Sequence, residues 1–338
     1  MSTPPDPTPV IDLLSGFRQS AVMFASVNLG VFDRLERGPA DLETLARDLS
    51  CNPDALGRLL DTCAGLGLLI PGPDYALTDL SRTYLTRSSP RRMTGYILYS
   101  LRALWPMWGN LSDAVREGSN RWKQTFGLDG PLFANFFRSD DDRREFLMGM
   151  HGFGQISSPH IAAAFDLSGF RHMVDLGGAT GHLAVACCRR WPDLRATVSD
   201  LPAAVPMARE MIALEADVAP RVEVVVNDFF TEPLPPGDLY AVGRILHDWG
   251  EERIHTLLTK IAAALPSGGA LLIGEKLLTE DRTGPSWAQL QSLNMLVCAE
   301  GKERSLGEYE ALLRPHGFTR IQAKRTTVPL DAILAHKS

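Results

Sequence analysis

The chain of 338 residues is short of cysteine, of net positive charge and of long apolar runs, and each shortage excludes a class of protein. Its five cysteines (Cys51, Cys63, Cys187, Cys188, Cys298) are odd in number and form no C-x-x-C pair. A disulfide framework and a structural zinc site are therefore not expected, and a reducing cytosol fits best. Lys and Arg number 34 against 40 Asp and Glu, a net charge of −6, which leaves no basic footprint for nucleic acid or for an anionic membrane. No apolar run reaches the length of about 18 that a spanning helix needs. The richest stretch, Tyr96 to Trp108, is interrupted by Arg102 and Pro106. Met1 to Pro9 has no basic segment ahead of an apolar block, so it reads as a mobile polar tail and not as a signal peptide.

What is present is apolar residue, 45% of the chain, enough for more than one core at roughly 150 residues per domain. From Asp12 to Glu36 apolar residues recur at helical spacing (Leu13, Phe17, Leu29, Phe32, Leu35). A short amphipathic helix follows at Asp41–Leu49, with Asp41 as its cap, then, after a break at Ser50–Pro53 with Pro53 suited to a first turn, a second at Asp54–Leu66 with Leu56, Leu59, Leu60 and Cys63 on one face. Two apolar segments around Pro71-Gly-Pro73 complete the outline of a winged helix-turn-helix. DNA binding is disfavoured, because residues 41–80 carry seven acids against two bases, Arg47 and Arg58, where a recognition helix needs cations. Packing against another subunit is the plainer reading. From Met93 to Phe165 the pattern stays helical and aromatic-rich, and Arg138 to Arg144 reads as a solvated helix start.

Beyond Phe170 the texture changes to β-prone runs alternating with helical stretches: His172–Leu176, Ala196–Ser199, Val222–Val226, Leu239–Val242 and Ala270–Ile273. This predicts a mostly parallel sheet flanked by helices, closed by an antiparallel pair at Phe318–Lys324 and Leu330–Ala335. The first strand runs into Asp175-Leu-Gly177-Gly178-Ala-Thr-Gly181, a turn whose glycines let backbone approach a ligand. It lacks the Gly-x-Gly-x-x-Gly of a pyrophosphate cradle, which disfavours a nicotinamide dehydrogenase. The second strand ends at Asp200, 25 positions on, either an acceptor for ribose hydroxyls or a helix cap before Leu201-Pro202. The third ends in Asp228-Phe229-Phe230, an acid and a ring suited to an adenine. The fourth runs into Arg244-Ile-Leu-His247-Asp248-Trp249, where an imidazole past a strand's carboxyl end suits a general base at neutral pH.

Asp175-Leu-Gly-Gly-Ala-Thr-Gly181, Asp200-Leu-Pro, Asn227-Asp-Phe-Phe, Arg244-Ile-Leu-His-Asp-Trp249, Ser292-Leu-Asn-Met-Leu-Val297 and Gly301-Lys-Glu-Arg304, in this order, resemble the plant-type S-adenosylmethionine-dependent O-methyltransferases. Within them the chain is most similar to the acetylserotonin (hydroxyindole) O-methyltransferase branch and its methyltransferase-like paralogue. The resemblance implies a Rossmann-like class I methyltransferase core, α/β with a mostly parallel seven-stranded sheet, behind an N-terminal all-helical winged-helix dimerisation domain. It divides the chain into a dimerisation domain at 1–108, a helical linker at 109–165 that contributes to the substrate pocket, and the cofactor-binding domain at 166–338. It implies a homodimer in the cytoplasm, methylating a small hydroxylated aromatic with S-adenosyl-L-methionine and releasing S-adenosyl-L-homocysteine. Cofactor contacts fall on Asp175, Gly177, Gly178, Asp200, Leu201, Asp228, Phe229 and Arg244. His247 is implied as the base, with Glu275 and Glu303 beside it, and Asp248, Asn294 and Cys298 against the acceptor.

Glu275, at the end of the Leu-Leu-Ile strand, is the carboxylate expected to fix the imidazole tautomer, while Glu303 reads either as its companion or as a surface ion-pair partner. No metal is expected, for no Asp/Asn trio with six oxygen ligands stands near the His motif. Three departures stand out: Ala179 where the family's turn has Gly, Asn227 where Gly precedes Asp-Phe-Phe, and Cys298 where the acetylserotonin branch has Gln. A non-catalytic or regulatory relative and a methyltransferase of another secondary metabolite are the alternatives.

Overall fold

The computed structural model describes residues 4–130, 132–137 and 139–338. Met1 to Thr3 of the expected tail and Arg138 of the charged run lie outside them. The chain forms two compact units, Met1–Ala103 and Leu104–Ser338. The division falls ahead of the expected boundary at 108, and the helical stretch 109–165 groups with the sheet instead of standing as a separate linker.

In the first unit the tail is shorter than expected, because a helix already begins at Thr8, where Pro7 and Pro9 need no intrahelical N–H partner. The long apolar period splits at Gly30, whose φ of 78° ends helix Thr8–Leu29 and starts helix Val31–Glu36. Asp41 caps helix Leu42–Asp48 by accepting from Thr44 N at 2.7 Å, and Asn52 caps helix Pro53–Gly65 through Ala55 N at 3.0 Å. Strands β1 (Leu69–Ile70) and β2 (Ala76–Leu77) then pair antiparallel, so the unit is not all-helical. Phe32, Leu35, Leu45, Leu60 and Cys63 form its core. Val10, Leu13, Leu14 and Phe17 on the first helix stay exposed.

The second unit is built on a seven-stranded sheet. Its strands are β3 (His172–Leu176), β4 (Arg195–Asp200), β5 (Val222–Val226), β6 (Leu239–Gly243), β7 (Ala270–Glu275), β8 (Phe318–Lys324) and β9 (Asp331–Lys337). Their order is β5-β4-β3-β6-β7-β9-β8, with β9 antiparallel to both neighbours and the rest parallel. The central strands are apolar throughout because they are buried on both faces, Leu239 to Val242 and Ala270 to Ile273 being fully covered. Helices Asp140–Ala164 and His182–Arg190 pack together, and Ile161, Leu183, Cys187, Val198, Ala241 and Leu272 share one core. Each such leucine or isoleucine contributes about 1.5–3 kcal/mol by leaving water. The chain runs outward from β3 to β5 and then returns to β6, so the order reverses between β3 and β6. That reversal opens a crevice at the carboxyl ends of those two strands.

Candidate active site

The crevice is walled on one side by the turn after β3. Gly177 and Gly181 have φ of 66° and 78°, and a Cβ on Gly177 would lie 2.5 Å from Ile245 Cδ1 and 3.5 Å from Phe229 Cε1. Ala179 also has positive φ, 50°, so the departure from Gly costs backbone strain of about 1–2 kcal/mol. Its N–H donates to Asp200 Oδ2 at 2.8 Å, which holds it there. Asp200 Oδ1 accepts from Leu201 N at 2.7 Å, so this carboxylate ties two strand ends together while half-exposed to the crevice. Burial pushes its pKa up to about 6, against the two N–H bonds.

Asp175 is placed differently from the expectation. It is buried beneath the turn, and a Cβ on Gly178 would come within 2.8 Å of its carboxyl. Burial pushes its pKa up to about 7, and Oδ2 has no hydrogen-bond partner among the described residues. Asp175 thus supports the loop from below and does not line the crevice. Asp228 is half-exposed and accepts from Phe230 N at 2.9 Å, while Phe229 packs edge-on against Phe230 at 4.7 Å. Asn227 has no positive φ, so Gly is not required there. Its amide donates to Pro233 O at 2.9 Å and braces the turn.

The other wall follows β6. Arg244 has φ of 59°, its N–H donates to Gly274 O at 3.0 Å, and its guanidinium lies over the Phe153 ring at 5.1 Å. His247 sits on the short turn Leu246–Asp248 and is 2% exposed. Its Nδ1 donates to Glu303 Oε1 at 2.7 Å. This bond fixes the proton on Nδ1 and leaves Nε2 as the free lone pair of the neutral ring. Asp248 Oδ1 lies 3.6 Å from Nε2. Burial, the largest single influence, lowers the His247 pKa, but Glu303, Glu275 and Asp248 together outweigh it and raise it to about 9. Asp248 itself is pushed up to about 6, chiefly by burial.

Of the two glutamates expected beside the imidazole, both are buried and Glu303 is the one bonded to the ring. Glu303 is 1% exposed, not a surface partner, and it alone binds the imidazole directly. The reason is local: a Cβ on Gly301 would strike His247 O and lie 2.6 Å from Trp249 O, so this glycine lets segment 299–303 close against the histidine turn. Glu275 stands 3.9 Å from Nδ1 and accepts instead from the backbone N–H groups of Ile245, Leu246 and His247 at 3.2, 2.7 and 3.2 Å. Donor atoms of His247, Glu275 and Glu303 lie within 4.8 Å of one another, close enough for a metal.

On helix Ser286–Cys298, Asn294 and Cys298 are buried. Asn294 Oδ1 accepts from the Trp108 indole at 3.0 Å, which leaves its NH2 as the donor of that side chain. Burial raises the Cys298 thiol pKa, so it stays a protonated sulfhydryl. Behind the glycine turn lies a polar cluster that sequence reasoning missed. His151 Nδ1 pairs with Thr180 Oγ1 at 2.9 Å and His182 Nδ1 with Ser158 Oγ at 2.9 Å. A side chain at Gly154 would collide with the His182 ring, whose pKa burial pushes down to about 3. No sequence signal marked these histidines, since each stands alone in an apolar helical stretch.

The strand ends of the sheet thus carry a glycine-lined turn after β3, acids after β4 and β5, and a buried, carboxylate-held imidazole after β6. An O-methyltransferase domain matches residues 108–319, and an O-methyltransferase dimerisation domain matches residues 11–87. The chain belongs to the O-methyltransferase family. This O-methyltransferase is 40% identical to acetylserotonin O-methyltransferase of Bos taurus over 331 residues, 96% of this chain and 95% of the relative. It is 39% identical to the Homo sapiens enzyme of that name over 334 residues, 96% of each. Among solved structures it matches human N-acetylserotonin methyltransferase in complex with SAM, with a TM-score of 0.93 at 38% identity and full coverage of both chains. PigF with SAH matches with a TM-score of 0.90 at 30% identity, over 99% of this chain and 100% of that one.

Proposed function

We propose that this O-methyltransferase transfers the methyl group of S-adenosylmethionine to the hydroxyl of a small aromatic of the hydroxyindole class, such as N-acetylserotonin, with His247 as general base. The observation that carries the reading is the buried His247–Glu303 pair just past the end of β6, the strand that pairs with β3, whose own end runs into the glycine turn. The names of the bovine and human relatives support the acceptor class.

The residues of the crevice fit the donor. Gly177 packs directly against Ile245 and Phe229 with no side chain of its own between, and the half-exposed Asp200 and Asp228 offer lone pairs to hydroxyl and amino groups. Leu201 serves through its N–H, which holds Asp200 in place. Arg244, past the end of β6, is the cationic side chain that would meet the carboxylate of the amino-acid tail. When bound, the donor supplies an electrophilic methyl on a cationic sulfur.

His247 Nε2 then takes the acceptor's proton as the oxygen attacks, and Glu303 stabilises the imidazolium that forms. In the free enzyme the three surrounding carboxylates keep His247 protonated at neutral pH, its pKa being about 9. With a cationic donor seated in the same crevice, the imidazole holds that proton less tightly, which couples base formation to donor binding. Asp248 and the Asn294 amide position the acceptor. Alignment is worth on the order of 7–11 kcal/mol at best, and base catalysis about 10²–10⁴-fold. The dimerisation domain at 11–87 and the exposed apolar face of the first helix support a homodimer, and five free thiols suit a reducing cytosol.

The deciding experiment incubates the protein with S-adenosylmethionine and a panel of hydroxyindoles and simple phenols, reading product by mass spectrometry. Methylation of N-acetylserotonin ahead of the phenols is expected. Turnover of phenols with none of any hydroxyindole overturns the acceptor class. For the donor site, Gly177→Ala places a methyl 2.5 Å from Ile245 Cδ1 at a φ that disfavours it. The affinity for S-adenosylhomocysteine by isothermal titration is expected to fall at least about tenfold, roughly 1.4 kcal/mol. Unchanged affinity would remove the turn from the donor site.

A further inference from the structure

We infer that Tyr309 is a positioning residue for the base, holding, through Glu275, the backbone turn that carries His247. The inference rests on the reading of His247 as the proton acceptor. Tyr309 and Glu275 are both fully buried. The tyrosine hydroxyl donates to Glu275 Oε2 at 2.6 Å. The other oxygen, Oε1, collects the three consecutive N–H groups of residues 245–247. One carboxylate therefore spans from a phenol to the turn bearing the imidazole, and its Oε2 passes 3.9 Å from His247 Nδ1.

The phenol is itself held firmly. Tyr309 lies on helix Leu306–Leu313, whose start is fixed by a capping box between Ser305 and Glu308, and Ser305 Oγ also donates to Glu280 at 2.7 Å. The strand of chain leading into that cap is the one that carries Glu303. The two glutamates beside Nδ1 are thus both referred to this helix, Glu303 through the main chain and Glu275 through the Tyr309 hydroxyl. Arg304 closes the arrangement by donating to Leu246 O at 3.3 Å, on the same turn.

Without the hydroxyl, Glu275 Oε2 is left in a dry site with the His247 Nδ1–H as the nearest alternative donor, which Glu303 already occupies. That oxygen is then no longer held in place beside the ring, and the negative field it sets on the imidazole from 3.9 Å weakens. The sign follows: the His247 pKa falls in Tyr309→Phe.

The test is Tyr309→Phe in the full chain, which keeps the buried ring. A kcat about tenfold lower is expected, with KM for the acceptor and affinity for S-adenosylhomocysteine unchanged. The ascending limb of the kcat–pH profile moves to lower pH. In the free protein the His247 ring signal, followed by NMR with labelled histidine, titrates at lower pH than in the wild type. Combining Tyr309→Phe with Glu275→Gln is expected to cost little more than Glu275→Gln alone, since both cut one chain of contacts. A lower kcat with an unmoved ring titration marks a merely structural tyrosine and overturns the inference, as does full additivity of the pair. The ring titration needs no turnover, so it separates a failure here from a failure of the base assignment, which shows as an active His247→Ala.

Discussion

His247→Ala is expected to lower kcat by about 10²–10⁴-fold while binding of S-adenosylhomocysteine persists. On the proposed reading the histidine meets the acceptor's proton and the glycine turn meets the donor, so the two readouts separate. His247 reaches the crevice from the end of β6, whereas Gly177 and Asp200 stand at the ends of β3 and β4. Part of the loss comes from the neighbours left behind: Glu303 Oε1 loses its 2.7 Å donor, and Glu303 Oε2 already has no partner among the described residues. His247→Gln, which can still donate toward Glu303, is expected to recover stability without recovering rate. Product formation by mass spectrometry and calorimetric titration of the product-state cofactor are the measurements. Wild-type turnover in His247→Ala would end the base assignment, and loss of cofactor affinity equal to the loss of rate would show that the residue serves binding instead.

Much of this site could be read in the chain before folding, and what could not has a physical cause. The strands after Phe170 are legible because buried parallel strands must be apolar along their whole length, as Leu239–Val242 and Ala270–Ile273 are. The residues at their ends are legible because the crevice of such a sheet lies there. The division of labour between the two glutamates was not. Glu275 sits at a strand end and looks like the natural partner for the imidazole, yet a carboxylate at that point meets three converging N–H groups first. Glu303 looks like a surface acid in a charged run, and only the clearance at Gly301, a matter of tertiary approach, brings it inside. Asp175 shows the same limit: sequence places it at the crevice, while the absence of a Cβ on Gly178 lets it sink below the loop. Tyr309 carried no signal, since a tyrosine on an amphipathic helix is core by default. The capping box at Ser305 and Glu308 is a sequence pattern, but it marks where the helix begins and not what its first turn holds.

Glu303→Ala removes one member of a buried ion pair, which typically costs about 3–5 kcal/mol because the remaining charge is left uncompensated. A lower melting temperature and a kcat reduced by about 10²-fold are expected, the rate loss arising from an imidazole whose proton is no longer confined to Nδ1. The pH dependence of stability distinguishes this from simple core damage. In the wild type His247 has a folded-state pKa of about 9, above its ordinary 6.5. Its protonation therefore adds stability that is complete below pH 6.5 and is lost as the pH rises through 9. Without Glu303 the largest influence left is burial, which lowers the pKa, so that window closes from above. Denaturant melts at pH 6.5 and pH 9 should show a clear fall in stability for the wild type and a smaller one for Glu303→Ala. In Glu303→Gln, which keeps the shape and an acceptor for Nδ1–H, the fall should likewise shrink while kcat drops less than in the alanine variant. Equal pH dependence in all three proteins would mean that the carboxylate does not hold the proton on His247, and the coupling between base and donor charge would lose its foundation.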